Sequence, residues 1–337
     1  MAPVKFGVGQ SVRRKEDDAL IRGRGRYTDD HAPSPAMHGL MLRSPHAHAK
    51  FTIDASQARK LPGVGIIITA ADIKDLGGLP CLFNLPDEPF TAPPYPILAS
   101  DVVRHVGDAV AFVVADTIAQ ARDAVEAIEI NWTPLPAVVG AANAVKEGAP
   151  QVWAEHPGNV LFDTSLGDKK ATEAAFSKAH AIAEVSIVNP RVVTNYMETR
   201  AAVCEYDAKR DHLTLTVGSQ GSHRLRDILC QNILNIPVEK MRVICPDVGG
   251  GFGTKLFPYR EYALVAVASR QLRKTVKWTA DRTDHFMGDA QGRDNVTTAR
   301  MALAEDGKFL GMDVDLMGDM GAYLSTFGPY IPHGGAS

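Results

Sequence analysis

Apolar and polar residues along this chain fall into short runs whose period changes several times. Residues 37–44 and the β-branched run Val64–Thr69 read as strands. Between them, residues 56–61 read as a helix start that Pro62 and Gly63 stop. Ala109–Ala115 is apolar at every position, the pattern of a strand buried on both faces. Asp116 is placed to cap a helix over 117–127, and 128–132 reads as a returning strand. These signals predict a compact mixed α/β module.

Two stretches break the rhythm. Residues 76–96 carry Pro80, Pro86, Pro89, Pro93, Pro94 and Pro96, which forbid regular helix and sheet and predict an irregular excursion. Residues 134–157, with Pro136, Gly140, Gly148 and Pro150, read as an interdomain connection. The expected division therefore lies near 145, giving segments 1–145 and 146–337. Beyond it, 171–179 predicts a short helix, and 181–188, 201–206 and the alternating 213–217 predict strands. Ser222 is placed to cap a helix over 224–234, closed by Asn235-Ile236-Pro237. The strand 241–245 runs into a glycine loop, and Pro258 opens a helix through Arg270 that buries Tyr262, Leu264, Val265, Val267 and Ala268.

Composition narrows the function classes. At 337 residues, with 45% hydrophobic and 22% charged, the chain can bury a large core, and two domains are expected. The net charge of −3, with Arg13-Arg14-Lys15 answered at once by Glu16-Asp17-Asp18, leaves no basic face for nucleic acid. No apolar stretch reaches the about 18 residues of a membrane helix, and residues 1–10 lack a secretory pattern, so the expected location is cytoplasmic. Cys81, Cys204, Cys230 and Cys245 are scattered, with no Cys-x-x-Cys for zinc or an iron–sulfur cluster, and read as buried free thiols. His46 and His48 form a His-x-His pair, but no third ligand stands near it and Ser44-Pro45 favours a turn.

The chemistry concentrates at two strand ends. Asp247-Val248-Gly249-Gly250-Gly251-Phe252-Gly253-Thr254-Lys255 places four glycines in five positions directly after a strand. Such density strips away side chains, lets a bulky ligand approach the backbone, and offers it bare N–H groups. Gly218-Ser219-Gln220-Gly221 ends the preceding strand. Gln220 reads either as an amide capping neighbouring backbone or as a neutral donor to an electron-rich ligand. Each junction is expected to open a helix, whose N-terminal N–H groups suit a phosphate- or oxo-bearing cofactor. A dinucleotide fingerprint fails, because Thr254 or Lys255 stands where its last glycine belongs. A P-loop fails as well, because Lys255 precedes Leu256 rather than Ser or Thr.

Three further motifs point to a family. Val8-Gly9-Gln10-Ser11-Val12-Arg13-Arg14-Lys15-Glu16-Asp17, Gly23-Arg24-Gly25-Arg26-Tyr27-Thr28-Asp29-Asp30 and Arg43-Ser44-Pro45-His46-Ala47-His48-Ala49 resemble the start of a molybdenum hydroxylase large subunit. That is the xanthine dehydrogenase, aldehyde oxidase and aerobic carbon monoxide dehydrogenase family. The glycine loop and Gly218-Ser219-Gln220 resemble its cofactor loops in order and spacing. The resemblance implies an N-terminal α/β-hammerhead domain followed by the first part of a molybdopterin-binding domain. It implies that Gln220 donates toward the metal's oxo ligand, that Gly250, Gly251, Phe252 and Gly253 run along the cofactor, and that the Phe252 N–H points at the metal centre. It also implies oxidation of an aldehyde, an N-heterocycle or carbon monoxide with water as the oxygen source, on a molybdopterin cytosine dinucleotide cofactor.

Two departures qualify the resemblance. Purine-oxidising members carry a Glu where this chain has Leu256, which cannot hydrogen-bond, so Leu256 is expected to line a pocket for something other than xanthine. The family's large subunit is also well over twice this length, and its general-base Glu is expected on the absent C-terminal half, as is the copper-ligand cysteine of carbon monoxide dehydrogenases. No residue here is therefore expected to be catalytic or a metal ligand. The expected partners are that C-terminal half, a 2Fe-2S iron–sulfur subunit, an FAD subunit and a small-molecule substrate. The alternative is a non-catalytic cofactor-binding or assembly protein. Residues 323–337, apolar, aromatic and nearly uncharged, read as an interrupted core or an interface.

Overall fold

The structure is a computed structural model describing residues 11–31, 33–85 and 90–335. Parts of the expected opening motif, of the excursion and of the C-terminal stretch lie outside the described residues. The first segment supplies β1 (Met37–Arg43), β2 (Ala49–Asp54), β3 (Val64–Thr69), β4 (Val102–Val103), β5 (Ala109–Ala115) and β6 (Glu129–Pro134). The second supplies β7 (Ala181–Asn189), β8 (Ala201–Asp207), β9 (His212–Val217), β10 (Met241–Ile244), β11 (Val276–Thr279), β12 (Asn295–Leu303) and β13 (Phe309–Gly318).

These strands form a seven-stranded mixed sheet ordered β10-β9-β8-β11-β1-β5-β3 and two three-stranded sheets, β4-β2-β6 and β13-β12-β7. The large sheet draws on both sides of residue 145, with Met37 of β1 set parallel against Val276 of β11. One core accordingly joins Met37, Ile68 and Phe112 to Leu215, Tyr262, Leu264 and Trp278.

The uninterrupted apolar run of β5 has a direct cause. All seven of its residues are buried. Phe112 and Val114 enter the large core, whereas Ala111, Val113 and Ala115 pack against Ala121 and Ala124 of helix Ile118–Glu126. With both faces covered, no polar alternation survives.

Several expected boundaries move. Thr117, not Asp116, caps helix Ile118–Glu126, its Oγ1 accepting the Gln120 N–H at 3.2 Å. The helix expected over 56–61 is only a 3-10 turn, Ala58–Lys60, because Leu61 turns extended ahead of Pro62. Gly221, not Ser222, stands at the cap of helix Ser222–Ile228, which continues as a π-helical stretch, Leu229–Leu234, and ends on left-handed Asn235. Tyr259 caps helix Arg260–Leu272, two residues later than Pro258 suggested.

The C-terminal stretch folds back onto the excursion. Tyr323 stacks on Tyr95 with ring centroids 4.6 Å apart and donates its hydroxyl to Asp108 at 2.8 Å. Trp153 Nε1 donates to Ala322 O at 2.7 Å, and Tyr330 packs edge-on against Phe83. The proline-rich segment is thus held by side-chain packing where its backbone cannot join a sheet.

Candidate functional site

β9 and β10 lie side by side and parallel, Thr216 opposite Ile244, so the loops that follow them emerge at the same end of the sheet. That arrangement of parallel strand ends is where open α/β sheets place ligands. Two contacts hold the loops together at their base. The Cys245 thiol donates to Ser219 O at 3.1 Å, and the Ser219 N–H meets Cys245 Sγ at 3.4 Å. Cys245 is therefore exposed at the site and not buried as expected, although Cys204 and Cys230 are buried.

Farther out, Gln220 joins the loops twice. Its N–H donates to Lys255 O at 3.1 Å, and its Oε1 accepts the Gly253 N–H at 2.9 Å. Only the oxygen of the amide can accept that proton, so the orientation of the side chain follows, and Nε2 is left as a free donor. The capping reading of Gln220 is met by the oxygen, and the nitrogen makes no hydrogen bond among the described residues.

The glycines are required by close approach as much as by any ligand. A β-carbon on Gly249 would stand 2.4 Å from Glu198 Cβ, and one on Gly251 would stand 2.6 Å from Gln220 Oε1. Gly250 and Gly253 take φ of +95° and +93°, and Phe252 between them is left-handed at +48° with 74% of its surface exposed. Among the described residues, the N–H groups of Gly250, Gly251 and Phe252 make no hydrogen bond. Leu256 is half-buried between the loops, its Cδ1 3.7 Å from where a β-carbon on Gly221 would lie.

Helix geometry meets expectation at only one junction. The glycine loop leads into a 3-10 turn, Thr254–Leu256, and the following α-helix starts at Arg260 with its first residues buried. The donors at this loop are therefore bare turn amides rather than a helix terminus.

Beneath the loop lies a group of buried charges that the motifs did not flag. Glu198 Oε2 accepts the Gly249 N–H at 2.7 Å and Lys255 Nζ at 2.8 Å, and Oε1 accepts the Thr28 N–H at 3.3 Å. Lys255, only 1% exposed, also lies 4.6 Å from the Tyr196 ring centroid. Burial lowers its pKa, with Glu198 opposing that shift. Arg200 bonds Asp289 at 2.6 Å and Glu261 at 2.9 Å, and Arg43 reaches Glu261 at 2.6 Å. Asp289 also takes the Tyr196 hydroxyl and His285 Nδ1. Burial alone would raise the Glu261 pKa; Arg200 and Arg43 outweigh it and bring it to about 2. The signal in the sequence was faint: Glu198-Thr199-Arg200 and Arg260-Glu261 place charges beside apolar runs.

Other candidates fall away from this centre. His48 Nδ1 sits 2.8 Å from Pro136 O, and His46 packs on Trp132. No group of three or more His, Cys, Asp or Glu able to hold a metal occurs among the described residues. A cavity of about 1390 Å³ lies apart from the glycine loop, between Arg104, Trp153, Phe162 and the β13 strand. Within its lining Arg300 pairs with Asp313, and Arg191 with Asp294 and Asp319.

Comparison with known proteins finds two family models that match parts of the chain. Residues 22–136 match the a/b hammerhead domain of aldehyde oxidase and xanthine dehydrogenase, and residues 152–337 match the molybdopterin cofactor-binding domain. The chain belongs to the molybdenum hydroxylase large-subunit family that includes aldehyde oxidase and xanthine dehydrogenase. It is similar to the carbon monoxide dehydrogenase large chain of Afipia carboxidovorans, at 35% identity over 96% of this chain and 41% of that protein. It is also similar to the nicotine 6-hydroxylase large subunit of Paenarthrobacter nicotinovorans, at 34% identity over 94% of this chain and 38% of that one. The structure of quinoline 2-oxidoreductase from Pseudomonas putida 86 superposes with a TM-score of 0.87 and 36% identity, covering 94% of this chain and 40% of that one. The chain thus spans well under half the length of these relatives.

Proposed function

We propose that this chain is the cofactor-holding portion of a molybdenum-dependent hydroxylase large subunit. In this reading Gln220, Gly250, Gly251, Phe252 and Gly253 line the cofactor, and Leu256 borders the substrate. The observation that carries it is the set of unpaired donors at one place, the Gly250, Gly251 and Phe252 N–H groups and Gln220 Nε2, at the ends of two parallel strands. Of the carboxylates at the loop, Glu198 is turned beneath it and paired with Lys255, and Asp247 accepts the Arg26 N–H at 2.8 Å.

When bound, the molybdenum cofactor supplies the oxygen-transfer and electron-accepting chemistry. The chain's own residues bind and orient: the turn amides fix the edge of the group, and Gln220 donates without giving up a proton, since an amide does not ionise at working pH. Leu256 offers the substrate an apolar contact, which suits an aldehyde, an N-heterocycle or carbon monoxide better than a purine. The cofactor is placed in its cytosine dinucleotide form. Electrons are placed as leaving through 2Fe-2S and FAD subunits, since the four cysteines of this chain form no cluster motif. The working complex is placed in the cytoplasm, and the division between the two segments near residue 145.

The test is to produce the chain alone and together with a polypeptide supplying the rest of the relatives' length, then measure molybdenum and pterin per chain. The pair should hold the cofactor and oxidise a substrate of these classes with oxygen drawn from labelled water. The chain alone should hold little, and Gln220→Ala should lower the content of the pair. Stoichiometric molybdenum with turnover by the lone chain would overturn the dependence on the rest. A pair that never takes up the cofactor would overturn the reading itself.

A further inference from the structure

We propose that Glu198 is a positioning residue that staples the glycine loop shut at both ends and so keeps the cradle formed before any ligand arrives. Its relevance to a cofactor rests on the reading above; the geometry stands without it. A single atom, Oε2, accepts from Gly249 at 2.7 Å and from Lys255 at 2.8 Å, and these residues open and close the loop. The backbone reinforces the first contact, the Glu198 N–H donating to Gly249 O at 3.1 Å. Between the two anchors the amides of Gly250, Gly251 and Phe252 are left free, so the staple orders the loop without consuming its donors.

The same carboxylate gathers the surroundings. Oε1 accepts the Thr28 N–H at 3.3 Å, fastening the N-terminal turn against the loop from 170 positions away. A β-carbon on Gly218 would lie 3.6 Å from Oε2 and 3.6 Å from Lys255 Nζ, so the Gln220 loop starts on top of the same pair. An ordinary buried ion pair would stabilise the fold as a whole. This one ties loop to loop, and its loss should be felt first between residues 247 and 257.

The decisive measurement is hydrogen exchange by mass spectrometry on the chain carrying Glu198→Gln, Lys255→Met or both. Glu198→Gln keeps a carbonyl acceptor for Gly249 but leaves a buried ammonium without its counter-charge. Exchange over 247–257 should then rise roughly 10- to 100-fold, while helix Arg260–Leu272 stays within about 2-fold. Adding Lys255→Met removes the stranded charge, and most of the protection should return. Should Glu198→Gln not fold, Glu198→Asp carries the test: it keeps the charge but shortens the reach, and must loosen the loop partway. An unchanged loop, a rise spread evenly over loop and sheet, or no recovery in the double variant would overturn the proposal. Molybdenum content of the assembled pair is read alongside. Normal loop behaviour in these variants with wild-type metal content sinks the staple alone, and the predicted loop behaviour with no metal in any form sinks only the cofactor reading.

Discussion

At Gly251 the constraint is a distance, and at Gly253 it is an angle. A β-carbon at 251 would meet Gln220 Oε1 at 2.6 Å, whereas at 253 nothing lies within 4 Å and only the φ of +93° resists. Gly251→Ala should therefore cost about 1–3 kcal/mol and displace Gln220, against about 1 kcal/mol for Gly253→Ala. Urea unfolding of both variants checks this, and equal costs would show that the close approach is not what selects glycine at 251. The thiols separate in the same way. Burial pushes Cys204 up to about 12 and Cys230 up to about 11, while Cys245 is exposed between the loops. Mild alkylation near pH 8 should label Cys245 in the folded chain and reach Cys204 and Cys230 only on unfolding, as mapped by mass spectrometry. The glycine loop was readable in the sequence because its composition departs from any ordinary turn. Glu198 was not, because one carboxylate in an apolar setting has no local signature and its partners lie 51 and 57 positions away.

Among the elements, the sheet β13-β12-β7 stands apart. Cross-strand partners share a face, so Val185, Ala299 and Val314 line up with Ile187, Thr297 and Leu316 on one side. Helix Lys169–Ser177 packs on the opposite side, where Ala175 approaches Gly311 and Arg300 lies 5.2 Å from the Phe176 ring. Val185, Ile187 and Met312 remain more than half exposed, at 51%, 53% and 59%. Such an apolar face promotes association. Val185→Lys with Ile187→Lys should reduce self-association in sedimentation velocity while changing unfolding free energy by about 1 kcal/mol or less. An unchanged distribution of species would show the face to be inert. Of its strands, β7 was readable in the sequence, over 181–188, whereas β12 and β13 were not read from it. The exposure of the face was not readable either, since an apolar residue carries no mark of whether anything covers it.

For the whole molecule, the large sheet and the buried charges do the joining. Arg43 on β1, Arg200 ahead of β8, Glu261 on helix Arg260–Leu272 and Asp289 bind one another across the line at residue 145. Glu261 sits at the centre, its pKa brought from the ordinary 4.5 to about 2. A depressed carboxyl contributes stability that is complete above the unfolded value and lost as pH falls through the folded one. Glu261 should therefore make the fold acid-sensitive between 4.5 and about 2. Glu261→Gln takes one carboxylate from each of two buried guanidinium groups, which keep Asp284 and Asp289, and should cost about 1–3 kcal/mol near neutrality, with a shallower fall in the urea midpoint on acidification. A variant as stable as the parent would remove this network from the forces that hold the two segments together.

Local chemistry determined what the sequence could reveal alone. The apolar run of β5, the helix after Thr117, the proline-bound excursion and the donor-rich loop each depend on residues a few positions apart, and propensity and patterning act over that range. Tertiary structure decided the rest. The pairing of β9 with β10 brought the Gln220 loop to the glycine loop, and the Gly253 N–H turned the Gln220 oxygen inward and left its nitrogen free. Glu198 reached across to close the loop and to hold Thr28. Those outcomes depend on sheet register and on hydrogen bonds between residues tens to hundreds of positions apart, which folding alone brings into contact.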